Sequence, residues 1–249
     1  MRLGVMQPYL FPYPGYFDLI QRTDCWVVFD TPQYIRHGWV NRNRILSPLG
    51  PGGTVLEPGW QYVGVPLRSH SRGTPIQDIE IDERRPWRRT LLGQLAHYRK
   101  HAPCYRETVE LVERCLTPSS GRLTELVVHS LAEVCRHLGI PFAPVLFSAL
   151  AMPTDAIDGP GDWALEISRH LGADEYLNPP GGAALFDPAR FAEAGVRLTI
   201  QEFEPLSYHT GRYTHVPNLS ILDALMWCPP NQVRAMLTDP RPDRELVSR

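Results

Sequence analysis

The sequence predicts an α/β fold with a Rossmann-like, mostly parallel sheet, and three observations support this prediction. A strand, a loop, a helix and a second strand follow one another within residues 2–29. The second strand, residues 25–29 (CWVVF), is a continuous apolar run, which is typical of a parallel strand buried on both faces. Strand-like and helix-like segments also alternate in the last part of the chain. Because a βαβ unit joins parallel strands by a right-handed crossover, these segments together predict a parallel sheet.

The N-terminal βαβ unit is predicted from local residue patterns. Residues 2–6 alternate weakly and favour a short buried strand. Residues 7–15 (QPYLFPYPG) carry three prolines and a glycine, which predicts a structured loop, and residues 16–22 predict a helix. Asp30 follows the second strand directly. Since ligands of open α/β sheets bind at the carboxyl ends of the strands, we expect the first loop and Asp30 to lie near a ligand.

The middle of the chain predicts a small β-hairpin arm followed by a helical insertion. Residues 42–47 and 61–67 flank a segment rich in proline and glycine, which favours two paired strands. Three helical patterns follow, at residues 87–101, 105–116 and 122–138. We therefore expect a single α/β domain over residues 1–249, with a helical subdomain at about residues 86–138.

The last part of the chain predicts the remaining strands of the sheet. The predicted elements are a return strand at 144–150, a helix at 163–171, a strand at 175–177, a helix at 188–194 and a strand at 196–203. Gly172 is expected to end the first of these helices. Helices at 220–226 and 230–237 complete the fold, and the polar tail from Asp239 is expected to fray.

The composition indicates an ordinary soluble globular protein and argues against several kinds of chemistry. The chain is 43% hydrophobic and has a formal net charge of −2, so bulk charge gives no reason to expect nucleic-acid binding. No apolar run approaches the roughly 18 residues that span a bilayer. Lys100 is the only lysine and no motif surrounds it, which argues against P-loop, kinase-type and pyridoxal-phosphate lysines.

The five cysteines indicate neither a disulfide framework nor a zinc site. None belongs to a C-x-x-C pair, and none has zinc-site spacing with a histidine. The odd count and the lack of a secretory signal predict reduced thiols and a cytoplasmic location. No metal site is predicted, although an aspartate-based magnesium site stays open.

The segment Trp39–Ile45 (WVNRNRI) is the most informative part of the chain for function. It places two amides and two guanidiniums side by side after a tryptophan, a pattern that suits neither a core strand nor an amphipathic helix. We interpret it as a binding site for a phosphate or carboxylate; the alternative is a solvated segment whose arginines pair with local acids. On a strand, Arg42 and Arg44 share one face. Asn41 and Asn43 share the other, and the pattern leaves open which pair faces the ligand.

Further candidates lie on or near the loops that follow the first two strands. Gln7, Tyr9 and Tyr13 are on the first loop, where amide and phenol groups can orient a polar substrate, unless they pack into the core. Tyr9 is also a catalytic candidate. Asp30 is predicted to act as a catalytic base or an ammonium anchor, with a turn residue as the alternative. His37 is a second candidate base, although a surface histidine is the favoured interpretation.

A second tight loop and the lack of a nucleophile complete the predicted site. Asn178 with Gly181 and Gly182 predicts a loop whose backbone amides can approach a ligand closely. Cys25 precedes a buried strand and is expected to be inert, and no serine lies in a G-x-S-x-G elbow. The sequence therefore favours direct attack of an acceptor on an activated acyl donor, with the protein supplying position, a base and oxyanion donors.

Taken together, these blocks resemble the WbqC-like protein family over nearly the whole chain. The matching residues are Met6–Tyr13, Gly15–Ile20, Asp30, Gln33, Tyr34, Trp39, Asn41–Ile45, Leu177–Pro179, Gly181, Gly182, Leu185, Phe186, Tyr208, Pro217 and Leu219–Asp223. Three departures from the family pattern stand out. Thr31 and Pro32 replace a usual Asp-Val pair, Phe186 replaces a common Tyr, and His215 replaces an expected Phe.

The resemblance implies an aminoacyl or acyl transferase, with glycyl transfer as one form, that acts on an amine or hydroxyl in surface-polysaccharide (O-antigen) or natural-product assembly. It adds Gln33 and Trp39 to the substrate-binding candidates. The expected partner is a small-molecule substrate with a carrier-bound or nucleotide-linked acyl donor. The cofactor is unknown, since ATP, coenzyme A, a carrier protein and aminoacyl-tRNA all stay open, and so does a homodimer.

Two alternatives remain at this stage. One is a nucleotide-dependent ligase or nucleotidyltransferase, because a Pro-rich loop that ends in Gly15-Tyr16 before a helix is similar to the Gly-His of the nucleotidyltransferase and pantoate-ligase group. The replacement of that histidine by Tyr16 argues against nucleotide transfer. The other is a non-catalytic protein that binds a sugar nucleotide or a carrier.

Overall fold

Two sheets organise the fold, and the computed structural model describes them within residues 1–238 and 243–246. The strands are β1 (Arg2–Met6), β2 (Cys25–Val28), β3 (Arg42–Leu46), β4 (Trp60–Gly64), β5 (Val145–Leu146), β6 (Glu175–Asn178), β7 (Arg197–Ile200) and β8 (Arg244–Glu245). The main sheet has the order β5-β2-β1-β6-β7-β8. All its neighbouring strands are parallel except the pair β7–β8, so the predicted mostly parallel α/β sheet is confirmed.

The helices cover both faces of the main sheet and extend beyond it. They are α1 (Pro14–Gln21), α2 (Trp87–Leu95), α3 (Tyr105–Cys115), α4 (Leu123–Leu138), α5 (Asp162–Leu171), α6 (Pro188–Glu193), α7 (Ile221–Trp227) and α8 (Pro230–Leu237). Strands β1 and β2 pair in parallel on either side of α1 in the sequence, which confirms the N-terminal βαβ unit. None of the helices described is both long and apolar enough to cross a membrane.

The strand order creates a topological switch point between β1 and β6. From β1 the chain moves outward through β2 to β5 on one side of the sheet. It then returns to the other side of β1 and moves outward again through β6 and β7. At such a point the connections leave the strand ends in opposite directions, which opens a crevice at the carboxyl edge of the sheet.

Alternation along the strands separates two hydrophobic cores. In β1, Leu3 and Val5 face the core that also contains Leu165 and Ile167 of α5. In β2, Trp26 and Val28 face the larger core, which also contains the buried apolar side chains of α1, α2, α3, α4, α7 and α8. Gly4 has no room for a side chain, because an added Cβ atom would lie 2.7 Å from the Trp26 ring.

The predicted hairpin arm is confirmed, and it lies on the larger core. Strands β3 and β4 are antiparallel, with Arg44 opposite Tyr62 and Leu46 opposite Trp60. Ile45 and Val63 are fully buried in the same core as the helices α2, α3 and α4. The helical subdomain at about residues 86–138 stays a prediction.

Three segments differ from the predicted elements. The return strand at 144–150 is reduced to β5 because residues 147–149 form a 3-10 turn. The helix predicted at 87–101 ends at Leu95 and continues as a 3-10 helix, Ala96–Lys100. The tail from Asp239 was predicted to fray. Part of this tail lies outside the described residues, and the strand β8 within it pairs with β7.

Candidate functional site

A cavity of about 1090 Å³ opens at the switch point. It is reached by residues that follow three parallel strands: Gln7 after β1, Phe29 and Thr31 after β2, and Asn178 at the end of β6. The first turn of α5 adds Trp163 to the wall. This is where ligands of open α/β sheets bind, so the sheet topology and the cavity point to one site.

Most of the predicted site residues meet in this cavity. Its walls include Gln7, Tyr9, Tyr13, Trp39, Asn43, Arg44, Asn178, Gly181 and Gly182. Five predicted residues lie outside its walls, namely Asp30, Gln33, His37, Asn41 and Arg42. The roles of all these residues remain predictions. Residues in the cavity wall can touch a ligand, whereas a residue outside the wall can act only through a neighbouring residue.

Arg44 is the charged group of the cavity. Its guanidinium carbon lies 4.9 Å from the centre of the Trp60 ring and 5.3 Å from that of Trp39. Its Nε atom is buried without a hydrogen-bond partner, and no carboxylate pairs with it, within residues 1–238 and 243–246. An arginine held against aromatic rings keeps its planar fork oriented. The guanidinium is therefore free to bind an anion in the cavity.

The alternation of β3 separates the two arginines from the two asparagines. Asn43 is buried, and its Nδ2 atom donates a hydrogen bond to the Leu10 carbonyl oxygen at 3.1 Å. Asn41 donates to the Val65 carbonyl oxygen and accepts the Tyr34 hydroxyl at 2.7 Å. The asparagines thus hold backbone segments together, and Arg44 on the opposite face of β3 keeps a free donor.

Arg42 has a different environment from Arg44, although both are on one face of β3. Its guanidinium stacks 4.0 Å above the Tyr62 ring and donates a 2.6 Å hydrogen bond to the His37 carbonyl oxygen. It does not line the cavity. This difference makes Arg42 a matched control for Arg44.

Several hydrogen bonds hold the arginine strand, the first loop and α7 together. The Ser220 amide donates to the Arg44 carbonyl oxygen at 2.8 Å, and the Ser220 hydroxyl donates to the Phe11 carbonyl oxygen at 2.7 Å. The Leu10 amide donates to the Trp39 carbonyl oxygen at 3.1 Å. Phe11 adopts a left-handed backbone with φ of 42°. These bonds fix the cavity wall before a ligand arrives.

The first loop brings two phenols into the cavity. The Tyr9 and Tyr13 hydroxyls make no hydrogen bond within the part of the chain that the structure describes, and burial raises the pKa of both. Proximity to Tyr9 raises the pKa of Tyr13 further. Both phenols therefore stay protonated at neutral pH and can donate hydrogen bonds to a ligand. Gln7 adds a side-chain amide beside them, and the backbone carbonyl oxygen of Gln7 accepts the Tyr16 hydroxyl at 2.9 Å.

Asp30 lies at the end of β2, but its carboxylate turns away from the cavity. The Ser148 amide donates to one carboxylate oxygen at 2.9 Å, and the Ser148 hydroxyl donates to the other at 2.6 Å. The side chain is almost completely buried, with 1% of its surface exposed. Asp30 thereby fixes the strand end between Phe29 and Thr31, both of which line the cavity.

His37 and Gln33 are both exposed and lie outside the cavity. His37 has a left-handed backbone with φ of 65°, and its carbonyl oxygen binds Arg42. Gln33 forms an isolated antiparallel bridge with Pro75. Both residues are therefore placed to support the segment before β3.

The second predicted loop packs closely around Asn178. Its side chain accepts the Tyr176 hydroxyl at 2.8 Å and donates to the Pro179 carbonyl oxygen at 2.7 Å. A Cβ atom at Gly182 would lie 2.4 Å from the Asn178 amide nitrogen. Glycine at position 182 therefore allows the loop to fold over Asn178.

We expect Gly161→Ala to open the cavity rim and destabilise the protein. A Cβ atom at Gly161 would lie 2.1 Å from the Leu185 carbonyl oxygen, so the loop carrying Leu185 has to move. The φ of Gly161 is −74°, so the loss of stability is steric, and we expect the free energy of unfolding in urea to fall by about 1–3 kcal/mol.

Gly93→Ala is the control, because no atom lies within 4 Å of its added Cβ. It should gain up to about 1 kcal/mol. A Gly161→Ala variant as stable as the natural protein would contradict the contact.

The sequence did not identify three aromatic residues of the cavity wall, Phe29, Trp163 and Phe203, as site residues. It also missed Trp60, which lies outside the cavity wall and packs against Arg44. Trp60 comes from β4, and only the strand pairing places it against Arg44. Trp163 is on α5, where its spacing had indicated an ordinary amphipathic helix. Phe29 ends the apolar run of the second strand, and Phe203 follows β7. The sequence did contain a signal for Trp60, because pairing of the two strands of the hairpin arm places Trp60 diagonally across from Arg44.

The chemistry of the cavity is defined by donors and apolar surface. Among the described residues that line it, the ionisable side chains are Arg44 and the three tyrosines Tyr9, Tyr13 and Tyr176. No group of three or more histidine, cysteine, aspartate or glutamate side chains in the described part of the chain is arranged to hold a metal ion. The arrangement can bind an anion and stabilise negative charge on an oxygen atom.

Comparison with known proteins identifies the family of the chain. The model of the WbqC-like protein family matches residues 7–235. The chain belongs to the WbqC-like protein family. It is also similar to an uncharacterized protein of Mycobacterium tuberculosis, with 25% identity over 227 residues, which cover 90% of this chain and 92% of that protein. No solved structure matches the chain.

Two of the sequence blocks that resemble the WbqC-like family line the cavity. The first block supplies Gln7, Tyr9 and Tyr13, and the second supplies Arg44. Two of the three departures expected from the family pattern, the pair Thr31 and Pro32 and the residue Phe186, also line the cavity. The third, His215, instead packs edge-on against Tyr208 with ring centres 4.8 Å apart.

Proposed function

We propose that this WbqC-like protein transfers an acyl or aminoacyl group from an anionic, activated donor to an amine or hydroxyl acceptor. The observation that carries the proposal is the Arg44 guanidinium, which lines the cavity against two indole rings and has no acidic partner among the residues that the structure describes. A bound donor would place its phosphate or carboxylate on Arg44. Binding energy from this remote group then positions the reacting carbonyl.

The proposed reaction is direct. The acceptor nitrogen or oxygen attacks the carbonyl carbon and forms the new bond, and the leaving group departs with the electron pair of the bond that breaks. The acceptor proton passes to the departing group or to water. This route fits the cavity because cysteine, serine, lysine and histidine are absent from the described residues that line it.

The carbonyl oxygen becomes negative during attack and requires hydrogen-bond donors. Tyr9 and Tyr13 supply protonated phenols without other partners among the described residues, and Gln7 supplies an amide. Asp30 has a positioning role in this proposal, because Ser148 occupies both of its carboxylate oxygens. The acceptor must then react as its free base.

Hydroxamate formation tests the proposal. The protein is incubated with hydroxylamine and a panel of acyl-coenzyme A, acyl phosphate and aminoacyl thioester donors, and the products are identified by mass spectrometry. We expect one donor class to give product well above the protein-free rate. The combined Tyr9→Phe and Tyr13→Phe variant should lose about 100-fold in kcat with little change in KM. Tyr62→Phe is the control, since Tyr62 lies outside the cavity walls.

A non-catalytic binding protein is the second candidate, and the lack of an acid–base side chain other than tyrosine and arginine among the described cavity residues favours it. It predicts that donors raise the melting temperature while no product forms with any of them. Stabilisation by ATP together with ATP-dependent product formation would instead support a nucleotide-dependent ligase. Either result would overturn direct transfer from an activated donor.

A further inference from the structure

The carboxyl edge of the sheet divides the cavity into two sides of different chemistry. The hairpin side carries Arg44, Tyr9 and Tyr13 and packs on the larger core. The opposite side, named here the α5 subsite, is formed by Phe29, Trp163, Tyr176, Leu185 and Phe186. Four of these residues belong to the second core or pack against it, namely Phe29, Trp163, Tyr176 and Phe186.

The aromatic walls of the α5 subsite are supported from behind. Phe29 and Trp163 lie with ring centres 5.2 Å apart, and the buried Phe147 packs edge-on against both at 5.2 and 5.4 Å. Phe186 packs edge-on against Tyr176 at 5.5 Å. Such a framework fixes the rings in place before binding, which reduces the entropy lost on binding.

Water is a poor occupant of the α5 subsite. Phe29, Trp163 and Phe186 are only partly buried, and each lines the cavity. No charged side chain is among the subsite residues named above, and the Tyr176 hydroxyl is already bound to Asn178. Apolar surface that remains open to a cavity gains free energy when an apolar group covers it.

We infer that the α5 subsite binds an aromatic or branched apolar group that belongs to the same ligand as the anion on Arg44. Under the proposed function this is the acyl group, or the side chain of the aminoacyl group, and it is larger than glycyl. A glycyl group would leave the aromatic surface in contact with water. The assignment of the group as acyl rests on the proposed function, whereas the subsite itself is tested by binding alone.

The test compares 4-phenylbutyrate with acetate in ligand-observed NMR titrations of the whole protein. Both probes carry a carboxylate, but only the first carries an apolar group. We expect 4-phenylbutyrate to bind at least about tenfold more tightly. Trp163→Ala should remove most of this preference, whereas Arg44→Ala should weaken both probes and keep their ratio. Tyr62→Ala is the control, because Tyr62 is an exposed aromatic residue outside the cavity.

A second variant covers the case in which Trp163→Ala does not fold. Phe186 lines the subsite from a loop, where it packs against Tyr176, and Phe186→Ala should reduce the preference in the same way. Equal affinities of the two probes for the natural protein would overturn the inference, and so would a preference that survives both variants. A lack of product in the hydroxamate assay would overturn the proposed function while leaving these binding ratios unaffected.

Discussion

Arg44→Ala is expected to lower kcat/KM for acyl transfer by at least about 100-fold, equivalent to about 2.8 kcal/mol. The guanidinium is the only cationic side chain among the described residues that line the cavity. Its loss removes a charged, fork-shaped hydrogen-bond donor, and hydrogen bonds between a guanidinium and an anion are about twice as strong as those between neutral groups. The measurement is the hydroxamate assay with the donor class that the natural protein accepts.

Two variants separate this effect from general damage to the hairpin arm. Arg42→Ala removes the same side chain two residues away on the same face of β3, from a position that stacks on Tyr62 outside the cavity. It should keep activity within about threefold, because Arg42 does not line the cavity. Arg44→Lys keeps the charge but loses the planar fork, and its activity should be intermediate. Equal losses in Arg42→Ala and Arg44→Ala would contradict the role of Arg44.

Asp223→Ala is expected to have the largest effect on stability, a loss of about 3–5 kcal/mol. The Asp223 carboxylate is fully buried and accepts the Tyr98 hydroxyl at 2.5 Å and the Tyr208 hydroxyl at 2.7 Å. Tyr98 in turn accepts the Leu46 amide at 2.9 Å, at the end of β3. Alanine leaves both phenols without their acceptor. Urea unfolding measures the loss, and Asp155→Ala on the surface should stay within about 0.5 kcal/mol.

The pH dependence of stability provides a second measurement on the same carboxylate. Burial raises the pKa of Asp223 more than the hydrogen bonds from Tyr98 and Tyr208 lower it. The folded protein therefore keeps this proton to a higher pH than the unfolded chain, and the stability that the carboxyl contributes is lost as pH rises through the folded pKa. Asp223→Asn does not titrate. The stability difference between the natural protein and Asp223→Asn should shrink as pH rises, and a growing difference would contradict the raised pKa.

Local sequence patterns predicted those helices, strands and loops whose signals come from residues close together in the chain. The apolar run that forms β2 and the Pro-rich loop before α1 predicted the βαβ unit, because both signals lie within a few residues. Gly172 has φ of 68° at the end of α5, as predicted from its position after the last periodic residue. The hairpin arm followed from the Pro- and Gly-rich segment between its strands.

Contacts between distant residues explain what the sequence could not show. The predicted strand at 144–150 ends early because Ser148 turns to bind Asp30, a residue 118 positions away. The same contact turns the Asp30 carboxylate from the cavity. The predicted helix at 87–101 breaks where Tyr98 inserts its hydroxyl between Leu46 and Asp223. In each case a tertiary hydrogen bond outweighs the local preference.

The polar residues of the candidate site could be predicted from the sequence, but the apolar residues of the α5 subsite could not. The unusual Asn–Arg alternation identified the segment that contains Arg44. Side-chain hydrogen bonds from Asn41 and Asn43 to the backbone then left Arg44 as the residue of the segment with a free donor in the cavity. The α5 subsite carries no such signal, because apolar residues such as Trp163 have the same spacing in a helix whether they cover a core or a cavity.

The most direct test of the central claim is a binding cycle between Arg44 and the charge of a ligand. Dissociation constants are measured for 4-phenylbutyrate and its neutral amide, 4-phenylbutyramide, with the natural protein and with Arg44→Ala. We expect the natural protein to prefer the carboxylate by at least about tenfold and Arg44→Ala to show no preference, a coupling of at least about 1.4 kcal/mol. A carboxylate preference that survives in Arg44→Ala would contradict the claim that Arg44 is the anion site of this cavity.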